Sequence, residues 1–183
     1  MLELLRSILA DNIIHSTENN IAILKENNKN ASLKIINITN ILESDILLHL
    51  DNACSNTIFK GTNGENKRCD YVLTNNKAAY FIEIKSTKNP EHKLIECTQK
   101  FKATECILEY IDSVIHIIYE QPKIFNKLEK RYILIYKATP IAKTPTRRQP
   151  DKSNKNNSPE HMLTLAVENE SKIHISKLKS DNK

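Results

Sequence analysis

Cys69-Asp70-Tyr71-Val72-Leu73, then Thr74-Asn75-Asn76-Lys77, then Ala79-Tyr80-Phe81-Ile82-Glu83-Ile84-Lys85: this stretch decides how the chain is read. Its outer parts are runs of β-branched and aromatic residues, and the part between them is turn chemistry. Residues 69–73 and 79–85 therefore predict two strands of an antiparallel hairpin. Side chains alternate along a strand, which puts Glu83 and Lys85 on one face and Ile82 and Ile84 on the other. Asp70 and Glu83 are 13 positions apart, enough chain to turn and bring them level on adjacent strands. Two carboxylates and an ammonium then meet on one patch. Burying that trio merely for packing is costly, so Asp70, Glu83 and Lys85 are the candidate catalytic residues.

Working upstream, Leu2, Leu5, Ile8 and Leu9 share one face and predict a short helix over 2–10. Residues 11–35 are rich in Asn and show no clear period. Ile41, Leu42, Asp45, Leu48 and His49 recur at helical spacing and predict a second helix over about 38–50. Residues 56–60 are strand-like and run into Gly61-Thr62-Asn63-Gly64-Glu65-Asn66, a loop holding both glycines of the chain. Downstream, Leu94, Cys97, Phe101, Thr104, Leu108 and Ile111 form a stripe with one hydroxyl in it, predicting a helix over about 91–112. Val114-Ile115-His116-Ile117-Ile118-Tyr119 fits either an extension of that helix or a strand. Arg131–Lys137 is a further strand. Residues 140–160 turn to Pro, Lys, Asn, Thr and Ser, a basic polar linker or loop. Met162–Val167 and Ile173–Ser176, around Glu168-Asn169-Glu170, predict a C-terminal β-hairpin added to the main sheet. The expected organisation is a core over 1–139 with an N-terminal helical region, the linker, and a hairpin extension over 161–183.

The bulk composition narrows the class. At 183 residues, with 39% hydrophobic and 27% charged side chains, the chain can bury a core without a metal or disulfide staple. No run of eighteen apolar residues occurs, so no membrane span is expected. Glu3 lies where a signal peptide needs basic residues, and the expected location is cytoplasmic. Cys54, Cys69, Cys97 and Cys106 form no CxxC pair, so reduced thiols are expected and a zinc site is not. Residues 1–139 carry 18 basic and 17 acidic side chains. Residues 140–160 carry five basic (Lys143, Arg147, Arg148, Lys152, Lys155) against two acidic (Asp151, Glu160). The excess of positive charge is thus concentrated in one polar segment, fit either to track phosphates or to stay solvated as a linker.

Hydrolysing a phosphodiester at neutral pH requires a divalent metal to polarise the phosphate and acidify the attacking water. Magnesium takes one or two carboxylates and completes its shell with water and substrate oxygens. A nearby cation offsets the charge that develops. The hairpin offers that set. Here the sequence resembles the PD-(D/E)xK nuclease superfamily of restriction enzymes, resolvases and repair nucleases. Arg68-Cys69-Asp70-Tyr71-Val72-Leu73 followed by Tyr80-Phe81-Ile82-Glu83-Ile84-Lys85-Ser86 looks like its motif, with Cys69 where the family's name has proline. The resemblance covers about residues 38–138. It implies an α/β fold with a restriction-endonuclease-like core, a central mixed sheet flanked by helices, in the order helix, strand, Asp-bearing strand, Glu-x-Lys strand, long helix, strand. It implies Asp70 and Glu83 as ligands of Mg2+, for which Mn2+ substitutes, the carbonyl of Ile84 as a further ligand, and Lys85 as the residue handling the water. Many members place another acid on the first helix, where Glu43 fits and Asp45 comes second.

The expected activity is metal-dependent endonucleolytic cleavage of DNA, in a defence, restriction or repair setting. RNA or structure-specific cleavage by the same residues, or a silent nucleic-acid-binding or scaffold member, are the alternatives. The resemblance also implies a homodimer or an ATPase or helicase partner. Ser86, Thr87 and Lys88 follow the motif and are candidate phosphate contacts, as are Gln99, Lys100 and Lys102 on the long helix and Arg147 and Arg148 in the linker. His49 and His116 lie in apolar runs and are expected to pack in the core, as are Tyr132 and Tyr136.

Overall fold

The computed structural model describes residues 2–15, 17, 19–26, 30–50, 59–138 and 156–179. In chain order its elements are α1 (Leu2–Ile8), β1 (Ile14–His15), β2 (Ile21–Lys25), β3 (Ile35–Thr39), β4 (Ile46–His49), β5 (Tyr71–Thr74), β6 (Ala78–Lys85), α2 (Leu94–Ile118), β7 (Glu129–Lys137), β8 (Leu163–Val167) and β9 (Ser171–His174). Short 3-10 turns lie at Glu91–Lys93, Phe125–Lys127, Pro159–His161 and Ile175–Leu178.

Asn75 makes the central turn. Its Oδ1 accepts from the backbone N–H groups of Lys77 and Ala78, both at 2.8 Å, so a side chain stands in for backbone at the reversal. The hairpin that follows pairs Thr74 with Ala79 through to Tyr71 with Ile82. β4 extends the sheet antiparallel to β5, and the short β1 pairs with β4 at that edge. On the other side β7 runs parallel to β6, and β8 parallel to β7. Parallel neighbours need a long crossover, and α2 supplies it between β6 and β7. The outcome is a six-stranded mixed sheet in the order β1-β4-β5-β6-β7-β8.

Both faces of this sheet are covered, which explains why β4, β5 and nearly all of β6 are buried throughout. On one face Val72, Ala79, Phe81, Tyr132 and Leu134 meet Leu5 of α1 and Cys97, Phe101, Leu108 and Ile115 of α2. On the other, Tyr80, Ile82, Ile84, Ile133 and Ile135 meet Leu24, Ile36, Ile38 and Ile173 of a second, three-stranded sheet, β2-β3-β9. The Tyr71 hydroxyl joins the layers: it donates to the Lys25 carbonyl at 2.8 Å and accepts from the Lys25 N–H at 3.0 Å.

The α/β class and the mixed sheet agree with the sequence reading. The helix expected over 38–50 is absent; those residues end β3, turn through Asn40 at φ +61° and form β4. Asp45 completes that turn by accepting the Leu42 N–H at 3.0 Å. Among the described residues α1 and α2 lie on one face of the sheet, and the second sheet covers the other. The C-terminal hairpin is also corrected. β8 joins the main sheet beside β7, whereas β9 leaves it and pairs parallel with β3. Of the strand expected at 56–60, residues 56–58 lie outside the described residues, and 59 and 60 form no strand. Val114–Ile118 continues α2 as helix. The linker falls largely outside the described residues, which resume at Asn156. Among the described residues no helix is long and apolar enough to cross a membrane.

Candidate active site at the open end of the hairpin

Ladder pairing between β5 and β6 stops at Tyr71 and Ile82. Past that point two carboxylates take over. The Asp70 N–H donates to Glu83 Oε2 at 3.3 Å, and the Ile84 N–H donates to Asp70 Oδ2 at 2.7 Å. Each acid is thus fixed by the strand opposite, and each has a second oxygen turned to the site. Asp70 and Glu83 have the parity of Val72 and Phe81, so both lie on the helix-covered face. The Glu83 side chain is fully buried, while those of Asp70, Lys85 and Lys100 keep 15, 19 and 17% of their surface. The site is therefore a recess whose floor is Glu83 and whose rim is wet.

Two ammonium groups converge on Glu83 Oε1, Lys85 at 2.8 Å and Lys100 at 2.6 Å. Lys100 also lies 3.6 Å from Asp70 Oδ1. Glu96, one helical turn before Lys100, accepts from Lys85 at 3.0 Å and from Lys93 at 3.2 Å. Burial pulls the Lys85 pKa down, but Glu83 and Glu96 more than offset it and raise the pKa above the usual lysine value. Lys85 therefore acts as a cation and hydrogen-bond donor. Burial raises the Glu96 carboxyl, yet its bonds to Lys85 and Lys93 prevail and hold it at about 2. Burial pushes the Cys97 thiol beside this cluster up to about 12, which leaves it a packing group. Cys69, Cys97 and Cys106 are all free thiols; Cys54 lies outside the described residues.

The donor set fits a hard divalent cation. Asp70 Oδ1 and Glu83 Oε1 already share an ammonium, so the place between them selects positive charge. Among the described residues no group of three His, Cys, Asp or Glu side chains converges as a metal site. The pair by itself offers the one or two carboxylates that magnesium uses together with water and substrate oxygens.

Asp70, Glu83 and Lys85 thus come together at one end of the hairpin, and Ile84 meets Asp70 through its N–H, whereas the expectation concerned its carbonyl. Glu43 is a correction. It sits in an exposed turn before β4, at the end of β4 that pairs with Thr74, while Asp70 adjoins the opposite end of β5. Its carbonyl accepts from Arg6 at 3.0 Å. Asp45 shares that turn. Ser86 is engaged elsewhere: its Oγ accepts from the N–H groups of Ser32 and Leu33, both at 3.1 Å, and docks the start of the second sheet. The Thr87 hydroxyl donates to the Asn89 carbonyl at 2.9 Å. Lys88 is exposed and lines a cavity of about 430 Å³ with Pro90, Tyr136 and Thr164. Gln99 accepts from Lys67 at 2.8 Å, and Lys102 pairs with Glu160 at 2.6 Å, away from the carboxylates. Arg147 and Arg148 lie outside the described residues. His49 is buried and stacks on Tyr71, with ring centroids 4.9 Å apart. His116 is exposed, contrary to expectation.

Lys100 and Glu96 carry more of the site than the sequence reading gave them. Their signal was the buried stripe itself: Lys100 stands three residues after Cys97 and four before Thr104, at a position inside an otherwise buried face. Comparison with protein-family models, with curated proteins and with solved structures finds no match for this chain.

Proposed function

We propose that the chain is a magnesium-dependent nuclease of the PD-(D/E)xK kind that cuts DNA. The observation that carries the reading is the Asp70–Glu83 bracket at the open end of the hairpin, with Lys85 on the same face. The topology supports it as well. α1, β4, β5, β6, α2 and β7 follow the order helix, strand, Asp-bearing strand, Glu-x-Lys strand, long helix, strand, with β1 to β3 inserted after the helix. The first two places are filled by α1 and β4, where the sequence predicts a helix over about 38–50 and a strand over 56–60.

Asp70 Oδ1 and Glu83 Oε1 would hold the ion, which when bound polarises the phosphodiester and acidifies water. Glu83, buried and bonded to backbone, keeps its position without reorganising. Lys85 orients the attacking water and offsets charge at phosphorus, through an ammonium that Glu83 and Glu96 keep charged. Lys93, paired with Glu96, stands beside the site as a positive group able to meet a flanking phosphate.

One observation favours a second reading, a silent nucleic-acid-binding or scaffold member: both site oxygens already have ammonium partners. Incubation with plasmid, single-stranded DNA and RNA separates the readings. Cutting is expected with Mg2+ or Mn2+ and should stop in EDTA, and Ca2+ should support binding alone. Lys85→Ala should lower the rate about a hundredfold, roughly 3 kcal/mol of transition-state stabilisation, with binding kept. Cutting that persists in EDTA, or at an unchanged rate in Lys85→Ala, would sink the nuclease mechanism.

A further inference from the structure

Lys100 stands where a metal ion would. Its ammonium lies 2.6 Å from Glu83 Oε1 and 3.6 Å from Asp70 Oδ1, the two oxygens that the backbone bonds leave to the site. The ion pairs around it join three carboxylates, Asp70, Glu83 and Glu96, to three ammonium groups, Lys85, Lys93 and Lys100. Among the described residues the cluster balances its own charge before any ion arrives. A divalent cation entering it would sit beside two ammonium groups in a recess poorly screened by water, and like charges at such separations repel strongly.

The helix backbone is tied in place. The Cys69 N–H donates to Thr104 Oγ1 at 2.9 Å, and the Thr104 hydroxyl donates to the Lys100 carbonyl at 2.8 Å. That turn of α2 is thereby fixed to the residue before Asp70. The Lys100 side chain is different: it keeps 17% of its surface exposed, and a long flexible stem lets the ammonium swing outward while the backbone stays. A phosphodiester at the rim supplies the negative charge that such a swing requires.

We propose that Lys100 is a tethered cation that occupies the Asp70–Glu83 pair until a nucleic-acid phosphate draws it outward, so that metal and substrate enter together. The inference rests on the nuclease reading of this pair. It makes Lys100 a positioning residue whose effect appears in metal affinity, apart from turnover.

The test is titration of Mn2+ alone into the full chain, followed by electron paramagnetic resonance, with thermal midpoints in EDTA to confirm folding. Lys100→Gln and Lys100→Met remove the charge, one keeping a polar end and one not, and Lys100→Arg keeps it. Both neutral variants should bind Mn2+ roughly tenfold or more tighter than wild type, and Lys100→Arg should stay weak. With Ca2+ and a short DNA duplex, wild-type metal affinity should rise, and that of Lys100→Gln should rise less. Equal Mn2+ affinity in wild type and the folded neutral variants would overturn the tether and leave the metal site standing. Absence of Mn2+ binding in every variant would overturn the tether together with the nuclease reading.

Discussion

Asp70 has two duties that one substitution can separate. Oδ2 accepts the Ile84 N–H at 2.7 Å, and Oδ1 faces the cation position. Asn keeps an acceptor for Ile84 and loses the charge; Ala loses both and leaves a half-buried N–H without its bond. Asp70→Asn should therefore melt close to wild type and show no metal-dependent cleavage. Asp70→Ala should lose activity and also about 1–3 kcal/mol of stability, the cost of an unsatisfied buried donor. Urea unfolding and a cleavage assay on both variants check this, and equal stability of the two would mean that the Ile84 bond contributes nothing. Asp70, Glu83 and Lys85 were legible in the sequence because strand alternation and one short turn suffice to bring them together. Lys100 needed more: which side of a helix meets the end of a particular strand depends on the whole packing, and sequence spacing does not carry it.

Among the elements, β6, α2 and β7 were legible because their periodicities are clean and long. β4 was misread for a physical reason. Ile46-Leu47-Leu48-His49 is buried on both faces, so it lacks the alternation of a half-exposed strand and passes for one turn of an apolar helix. The turn residues Asn40, Ser44 and Asp45 before it were the available warning. The return from α2 to β7 depends on Asp112, whose buried carboxylate accepts from Ile124 and Phe125 at 2.7 and 3.0 Å and from Asn126 at 2.9 Å. Three backbone donors at the start of a 3-10 turn thus share one side chain. Asp112→Ala should cost roughly 3 kcal/mol and loosen the register of β7 against β6. Asp112→Asn should cost less, since one oxygen still serves Ile124 and Phe125. Denaturant midpoints for the two variants provide the check; a loss below about 0.5 kcal/mol in Asp112→Ala would refute the capping role.

For the molecule as a whole, the distinctive fact is how the C-terminal segment is used. The short link Glu168-Asn169-Glu170 suggests two strands paired with each other. They serve different layers, because β8 has the free edge of β7 beside it and β9 has that of β3. Asn156 fastens the same segment: it accepts from Arg131 at 3.0 Å and donates to the Leu178 carbonyl at 2.9 Å, and its own carbonyl takes the Tyr132 N–H at 3.0 Å. Removing residues 171–179 would take Ile173 and Leu178 out of the core that holds Ile36, Ile38, Ile133 and Ile135, so the shortened chain should lose its cooperative melt in circular dichroism. Retention of a native-like transition would make the second sheet an accessory.

The partnership of β3 with β9 also sets a timetable. The bond from the Lys34 N–H to Asn169 Oδ1, just ahead of that pairing, joins residues 135 positions apart. At ribosomal speeds of about 5–20 residues per second, β3 waits on the order of ten seconds for the strand that covers its flank. During that interval the backbone edge of β3 is unpaired in a crowded cell, and the nascent chain is most exposed to aggregation and to chaperones there.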